Sequence, residues 1–246
     1  MSQQVRPSSA AYASASGAIP PGPSDRPRPA WMDDLVKRLE AVEGDYFSRF
    51  LPPDDDSGRE SAVLMLFGPP PADAAAGGEH VLLIERSHTM RSHPAQIAFP
   101  GGARDPGDDD VIETALREAE EETGLDPTGV DIVTVLPSLF LPPSQFVVAP
   151  VLAWWKHPTP VSVVDTAEVH DVLDVPLEHL VDPASRYSVR HPSGFVGPAF
   201  DIDHLVLWGF TAGLLSRTLD LAGLTRPWNP DTMRPLPERY LGGRRG

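Results

Sequence analysis

FPGGARDPGDDDVIETALREAEEETGL, residues Phe99 to Leu125, decides how this chain folds. It opens on a Gly101-Gly102 turn, passes four aspartates, the last three consecutive, and enters a stretch crowded with glutamates. Asp108, Asp109 and Asp110 suit a helix start, where a side-chain oxygen caps free N–H groups and negative charge is favourable. Gly124 suits a helix stop. A helix over about Asp110 to Thr123 follows. On it Glu118 and Glu121 are three residues apart and Glu118 and Glu122 four apart, so the three carboxylates share one face. Like charges so placed cost roughly 0.2–0.5 kcal/mol per pair. Arg117 can offset part of that through Glu113, Glu120 and Glu121, which lie three or four residues from it. A solvated acidic face is the plain reading. Joined to a Gly-Gly turn that admits close backbone approach, the face points instead to a hard divalent cation, which takes oxygen ligands.

This stretch resembles the box of the Nudix hydrolases: a glycine, five residues, an acid, a spacer, then R-E-apolar-x-E-E-x-G-apolar. Gly102, Asp108 and Arg117 to Leu125 occupy those places. The early acid is Asp rather than Glu, and the spacer, Asp109 to Leu116, has eight residues rather than seven. The longer spacer is similar to that of the coenzyme A pyrophosphatases. Upstream, Leu82-Leu83, Arg86-Ser87, Arg91 and Phe99-Pro100-Gly101-Gly102 also follow that subgroup's order, with Ala95 where the subgroup has glycine.

The resemblance implies an α/β fold, the Nudix-type α/β/α sandwich around a mixed β-sheet. It implies Glu118, Glu121, Glu122 and the Gly101 carbonyl as ligands of Mg²⁺ or Mn²⁺, with Arg117 orienting the glutamates. Glu122, Glu121, Arg117 and Glu168 are the catalytic candidates. Glu122 and Glu168 compete for the role of general base, and Glu168 could instead be a further metal ligand. Arg86, Arg91, Phe99 and Gly102 are the substrate-binding candidates. Arginine's planar fork suits phosphate; an isolated arginine is more often an exposed residue or half of an ion pair. The implied reaction is hydrolysis of the coenzyme A diphosphate, or that of a derivative, to 3′,5′-ADP and 4′-phosphopantetheine. Hydrolysis of another nucleoside diphosphate derivative, such as ADP-ribose or an NTP, is the second reading. A non-catalytic ligand sensor is the third, and loss of a box glutamate would have favoured it.

Composition agrees. The chain has 246 residues, 41% of them hydrophobic, a net charge of −15 and no cysteine. The acidity disfavours a general nucleic-acid surface, and zero cysteines exclude disulfides and thiolate sites. No apolar run reaches the roughly 18 residues of a membrane helix. The expected partner is thus a small-molecule substrate, with no nucleic acid and no membrane. A cytoplasmic location and a homodimer are compatible with this. His80, His88 and His93 match no metal-ligand spacing and read as polar strand or loop residues. Trp154 and Trp155 could stack on an adenine, though paired aromatics more often pack.

Residues 1–31 read as a disordered, Pro- and Ser-rich tail. Residues 32–60 comprise an amphipathic helix, expected over Trp31 to Phe50, and an acidic linker. Residues 61–224 form the Nudix-like domain and 225–246 a tail. Strands are expected at Ala62–Phe67, His80–Arg86, Gln96–Phe99, Ile132–Leu136 and Phe146–Trp155, the last broken at Pro150. A second long helix lies within Leu205 to Leu224.

Overall fold

The computed structural model describes residues 13–14 and 18–241, apart from positions 44, 49, 54, 56, 75, 76, 91, 92 and 143. Strand β1 is Ala13–Ser14, and helix α1, Ala30–Leu39, follows. Strands β2 (Arg59–Gly68), β3 (His80–Arg86), β4 (Ile97–Ala98) and β5 (Gly101–Ala103) precede helix α2, Val111–Thr123. Strands β6 (Val130–Val135), β7 (Leu139–Leu141), β8 (Phe146–Trp155) and β9 (Val169–Pro176) lead to the short helix α3, Leu177–Val181. Then come β10 (Arg186–Arg190), β11 (Val196–Ile202), β12 (Leu205–Leu207), α4 (Gly209–Ala222) and β13 (Met233–Pro235).

The main sheet runs β1-β9-β3-β2-β8-β6, with β4 on β3, β5 on β2 and β7 on β8. Among the described residues only β2 and β8 pair in parallel there, so the sheet is mixed. These two central strands read as unbroken apolar runs because both of their faces are covered. Alternation sends Met65 and Phe67 to one face, with Met32 and Leu35 of α1 and Leu215 and Leu219 of α4. Leu64 and Leu66 go to the other, with Ala115 and Ala119 of α2. One helix on one face and two on the opposite face make the α/β/α sandwich. A smaller sheet, β12-β11-β10-β13, packs beside α4. Among the described residues no helix is long and apolar enough to cross a membrane.

Several boundaries differ from the sequence expectation. Helix α1 ends at Leu39, short of Phe50, where Gly44-Asp45 lowers helix propensity. Met32 and Leu35 are fully buried, which stabilises the fold by about 1.5–3 kcal/mol each, so α1 belongs to the core of the main domain. Within the expected N-terminal tail, Ile19 is buried and bridges Val161, and the Arg26 carbonyl accepts from Trp154 Nε1. Trp154 and Trp155 are both buried. The expected C-terminal tail supplies β13, the Trp228 ring over the Arg186 guanidinium, and buried Tyr240, whose hydroxyl accepts from Val206 N–H. Strand β8 is unbroken at Pro150. Its partners on one side change there, β7 ending at Leu139 opposite Val148 and β6 resuming at Val135 opposite Val151. The missing N–H of Pro150 therefore falls in the gap between two ladders, while its carbonyl still accepts from Leu136 N–H at 2.8 Å.

Candidate functional site

Helix α2 is fixed at both ends by its own sequence. Asp110 accepts from the N–H groups of Ile112 and Glu113, and Gly124 closes the helix in the left-handed conformation at φ 70°. Ala115 and Ala119 seat it closely on β2. The same inward side carries Glu122 to 2% exposure.

Strand β5 brings the Gly-Gly turn against this helix. Gly101 sits at φ +153°, and a Cβ there would lie 2.3 Å from the Ala62 carbonyl oxygen. Its N–H donates to Glu122 Oε2 at 3.0 Å. At Gly102 a Cβ would lie 2.4 Å from Glu118 Oε2. Gly102 thus lets the Glu118 carboxylate reach the backbone, and Gly101 lets the turn close against β2 where a side chain would stand in the way. Gly102→Ala is expected to displace Glu118. A shift of about 1 Å near reacting groups can cost about 10²-fold in rate, so kcat/KM should fall by that order while the fold persists. Unchanged kcat/KM with an unmoved Glu118 in the variant's structure would refute this.

Arg117 organises the outer side of the cradle. Its Nε and Nη2 donate to Asp108 Oδ1 and Oδ2 at 2.9 and 3.0 Å, a bidentate pair. Nη2 also reaches the Ala103 carbonyl and Glu118 Oε1, each at 3.1 Å, and Nη1 reaches Glu121 Oε2 at 3.1 Å. Thr114 Oγ1 and Asp105 N–H donate to Asp108 as well. The Arg117 guanidinium, then these neutral donors, hold the Asp108 carboxyl well below the usual carboxylate range, and Asp108 in turn raises Arg117. Of the three consecutive aspartates, then, Asp110 caps the helix and Asp108 anchors the arginine.

Glu122 is the electrostatic opposite of Asp108. Burial pushes its carboxyl up to about 8; Gly101 N–H and the Arg86 charge pull it down, and Glu118 and Glu168 push it further up. Burial also raises Glu118, against Arg117, with Glu121 and Glu168 adding to the rise. Glu122 Oε1 is buried with no hydrogen-bond partner, a costly state for a carboxylate oxygen. An all-oxygen donor set with one orphaned, buried oxygen suits a hard divalent cation. Glu121, 59% exposed, is held outward by Arg117.

The fold therefore brings Gly101, Gly102, Arg117, Glu118, Glu121 and Glu122 together, with Arg86 and Glu168 within electrostatic reach of Glu122. Glu168 is exposed, and its carbonyl accepts from Ser87 N–H at 2.7 Å. Arg91 lies outside the described residues. The Phe99 side chain is 2% exposed within the larger core cluster. The three box glutamates do not close on one another within 4.8 Å. Among the described residues, the set of His, Cys, Asp or Glu donors that does so is Glu85, His88 and His170. His80 is instead buried against Asp174, with its Nδ1 on the carboxylate.

The NUDIX domain family matches residues 72–192. Nudix hydrolase 22, chloroplastic, of Arabidopsis thaliana is 37% identical over 149 residues, covering 56% of this chain and 48% of that protein. The uncharacterized Nudix hydrolase NudL of Enterobacter sp. (strain 638) is 37% identical over 142 residues, covering 55% of this chain and 71% of that protein. The chain thus spans about half the length of the plant relatives it matches. Among solved structures, a Nudix hydrolase from M. smegmatis, RenU, aligns with a TM-score of 0.47 at 19% identity, covering 70% of this chain and 89% of that one.

Proposed function

Since the chain belongs to the Nudix family, we propose that its glutamate cradle carries metal-dependent hydrolysis of a diphosphate bond, with coenzyme A or a derivative as substrate. The observation that carries the chemistry is Glu122, buried, held by Gly101 N–H at 3.0 Å and left with one unpartnered oxygen. Glu118, Glu121, Glu122 and the Gly101 carbonyl would hold Mg²⁺ or Mn²⁺. Bound there, the cation supplies charge neutralisation for the diphosphate and a more acidic water. Arg117 keeps Glu118 and Glu121 in place while it is itself locked on Asp108. In the ion-free chain at neutral pH, Glu122 holds a proton that it must give up to serve as a ligand. Glu168, exposed and within electrostatic reach of Glu118 and Glu122, would accept a proton from an attacking water. Arg86 brings a guanidinium to the Glu122 side of the sheet, where it would bind a substrate phosphate.

The choice of coenzyme A rests on the order Leu82-Leu83, Arg86-Ser87, Arg91 and Phe99 to Gly102, and on one conformational detail. Ala95, where the subgroup carries glycine, adopts φ +57°. An L-residue in that region is strained by about 1–2 kcal/mol. The turn thus keeps a glycine-type conformation despite the substitution, which favours an unaltered approach to the site.

Mass spectrometry of products tests the reading. The chain is incubated with coenzyme A, ADP-ribose or a nucleoside triphosphate, each with Mg²⁺ or Mn²⁺. We expect 3′,5′-ADP and 4′-phosphopantetheine from coenzyme A, and about 10²–10⁴-fold less from Glu122→Gln. Cleavage of ADP-ribose or the triphosphate alone would keep the chemistry and overturn the substrate. Ligand binding without turnover under either metal would overturn the enzyme and leave a sensor.

A further inference from the structure

We propose that Glu85, His88 and His170 form a second metal site, for a zinc-class transition ion, on the face of the sheet opposite the glutamate cradle. Along β3, Glu85 follows Val81 and Leu83 on the face of the larger core cluster, while Arg86 follows Leu82 and Ile84 on the α2 face. The two sites are therefore separated by the sheet.

A β-bulge builds the new site. Glu85 pairs with Asp171, but the next residue, Arg86, pairs with Val169, so His170 is the extra residue in β9. Two residues of a bulged strand oppose one on the partner, and the bulge re-aims a side chain. His170 is thereby turned toward Glu85. His88 arrives from the other direction, on the turn closed by Met90 N–H to the Ser87 carbonyl at 3.2 Å. Its Nε2 lies 2.9 Å from Glu85 Oε1, and its ring centroid lies 4.1 Å from that of His170. One donor atom from each of the three lies within 4.8 Å of the other two.

The donor set decides the ion. Two imidazoles and a carboxylate suit zinc and its neighbours, whereas Mg²⁺ and Ca²⁺ favour oxygen. Around a tetrahedral ion with ligands at about 2.0–2.1 Å, donors stand about 3.3 Å apart. Glu85 is 5% exposed and fixed, while both histidines are exposed. Rotation of the imidazoles closes the remaining distance without moving the backbone. Three protein ligands leave the fourth position to water. An ion there clamps the end of β3 to the start of β9, the junction where Ser87 N–H meets the Glu168 carbonyl. Arg86 and Glu168 sit on that junction, so its rigidity sets their placement.

Full-length chain freed of metal by a chelator is titrated with Zn²⁺ and, for its visible spectrum, Co²⁺. One equivalent should bind and raise Tm in Glu118→Gln/Glu122→Gln as it does in the parent, since that variant leaves the proposed ligands intact. His88→Ala and His170→Ala should each weaken binding by more than the roughly 10- to 100-fold lost with an outer-shell partner. The metal-free Tm of His170→Ala should match the parent's, because that side chain is exposed, whereas His88→Ala also strips buried Glu85 of a hydrogen bond and should start from a lower Tm. Histidine variants that bind Zn²⁺ as the parent does would overturn the proposal. So would loss of that equivalent in the glutamine variant alone, which would assign the ion to the cradle.

Discussion

Glu122→Gln will cut turnover by orders of magnitude and, in the absence of metal, make the chain more resistant to unfolding at alkaline pH. The two effects share one cause. The folded value of Glu122, about 8, stands above the unfolded value of 4.5. A raised carboxyl means that the folded chain holds a proton which the unfolded chain has released across that window. Stability contributed by the protonated form is therefore present below 4.5, falls as pH rises toward 8, and stays low beyond it. Integrated over the window, the loss has an upper bound of about 5 kcal/mol. Glutamine keeps the acceptor for Gly101 N–H and never ionises, so it escapes the loss. The charge it forgoes is the one a cation needs, and turnover should drop about 10²–10⁴-fold, the range of a lost general base or equivalent group. Urea unfolding of both proteins with chelator present, at pH 5 and pH 9, is the check. Stability differences that are identical at the two pH values would mean that Glu122 is not held protonated by its surroundings.

Arg117→Ala should be the most damaging change to stability at this site. It strips the buried Asp108 carboxylate of both guanidinium hydrogen bonds and releases Glu118 and Glu121 together. Breaking a fully buried pair costs about 3–5 kcal/mol. Arg117 is 23% exposed, so solvent softens this to about 2–4 kcal/mol. The Asp108 contribution carries the opposite pH sign to that of Glu122. Its folded value is depressed, so its stability is present above the unfolded value of 3.8 and lost only in strong acid. In Arg117→Ala that contribution is gone, so the stability gap to the parent should be widest above the unfolded value of 3.8 and should narrow in strong acid. Asp108→Asn in the same chain should return part of the loss, because the two residues act as one unit. Additive losses in the double variant would show that they do not.

Helix α2 was legible almost to the residue, because its cap, stop and face all depend on neighbours within a few positions. The central strands were legible for a similar reason: Ala62 to Phe67 and His80 to Arg86 are apolar runs buried on both faces. What escaped depends on contacts distant in sequence. Met233–Pro235 lies among prolines with no alternation, and its parallel pairing to Ser188–Arg190 is long-range. Asp108 was read as a member of the helix start because nothing local shows that Arg117 will reach back nine residues to it. Glu85, His88 and His170 escaped for a stronger reason. They converge through a bulge between strands far apart in sequence, and a one-residue shift in pairing leaves no mark on either strand's composition.

Pro150 has a consequence outside the native state. FVVAPVLAWW, residues 146–155, is a ten-residue stretch with no charge, the composition that stacks edge to edge when unfolded chains meet. Proline at its centre denies a stacked copy one backbone donor in every layer and so acts as a gatekeeper against aggregation. In the folded sheet this is harmless, since the donor would have faced the gap between β7 and β6. A residue that costs the native ladder nothing thus protects the unfolded chain until β8 pairs with β2.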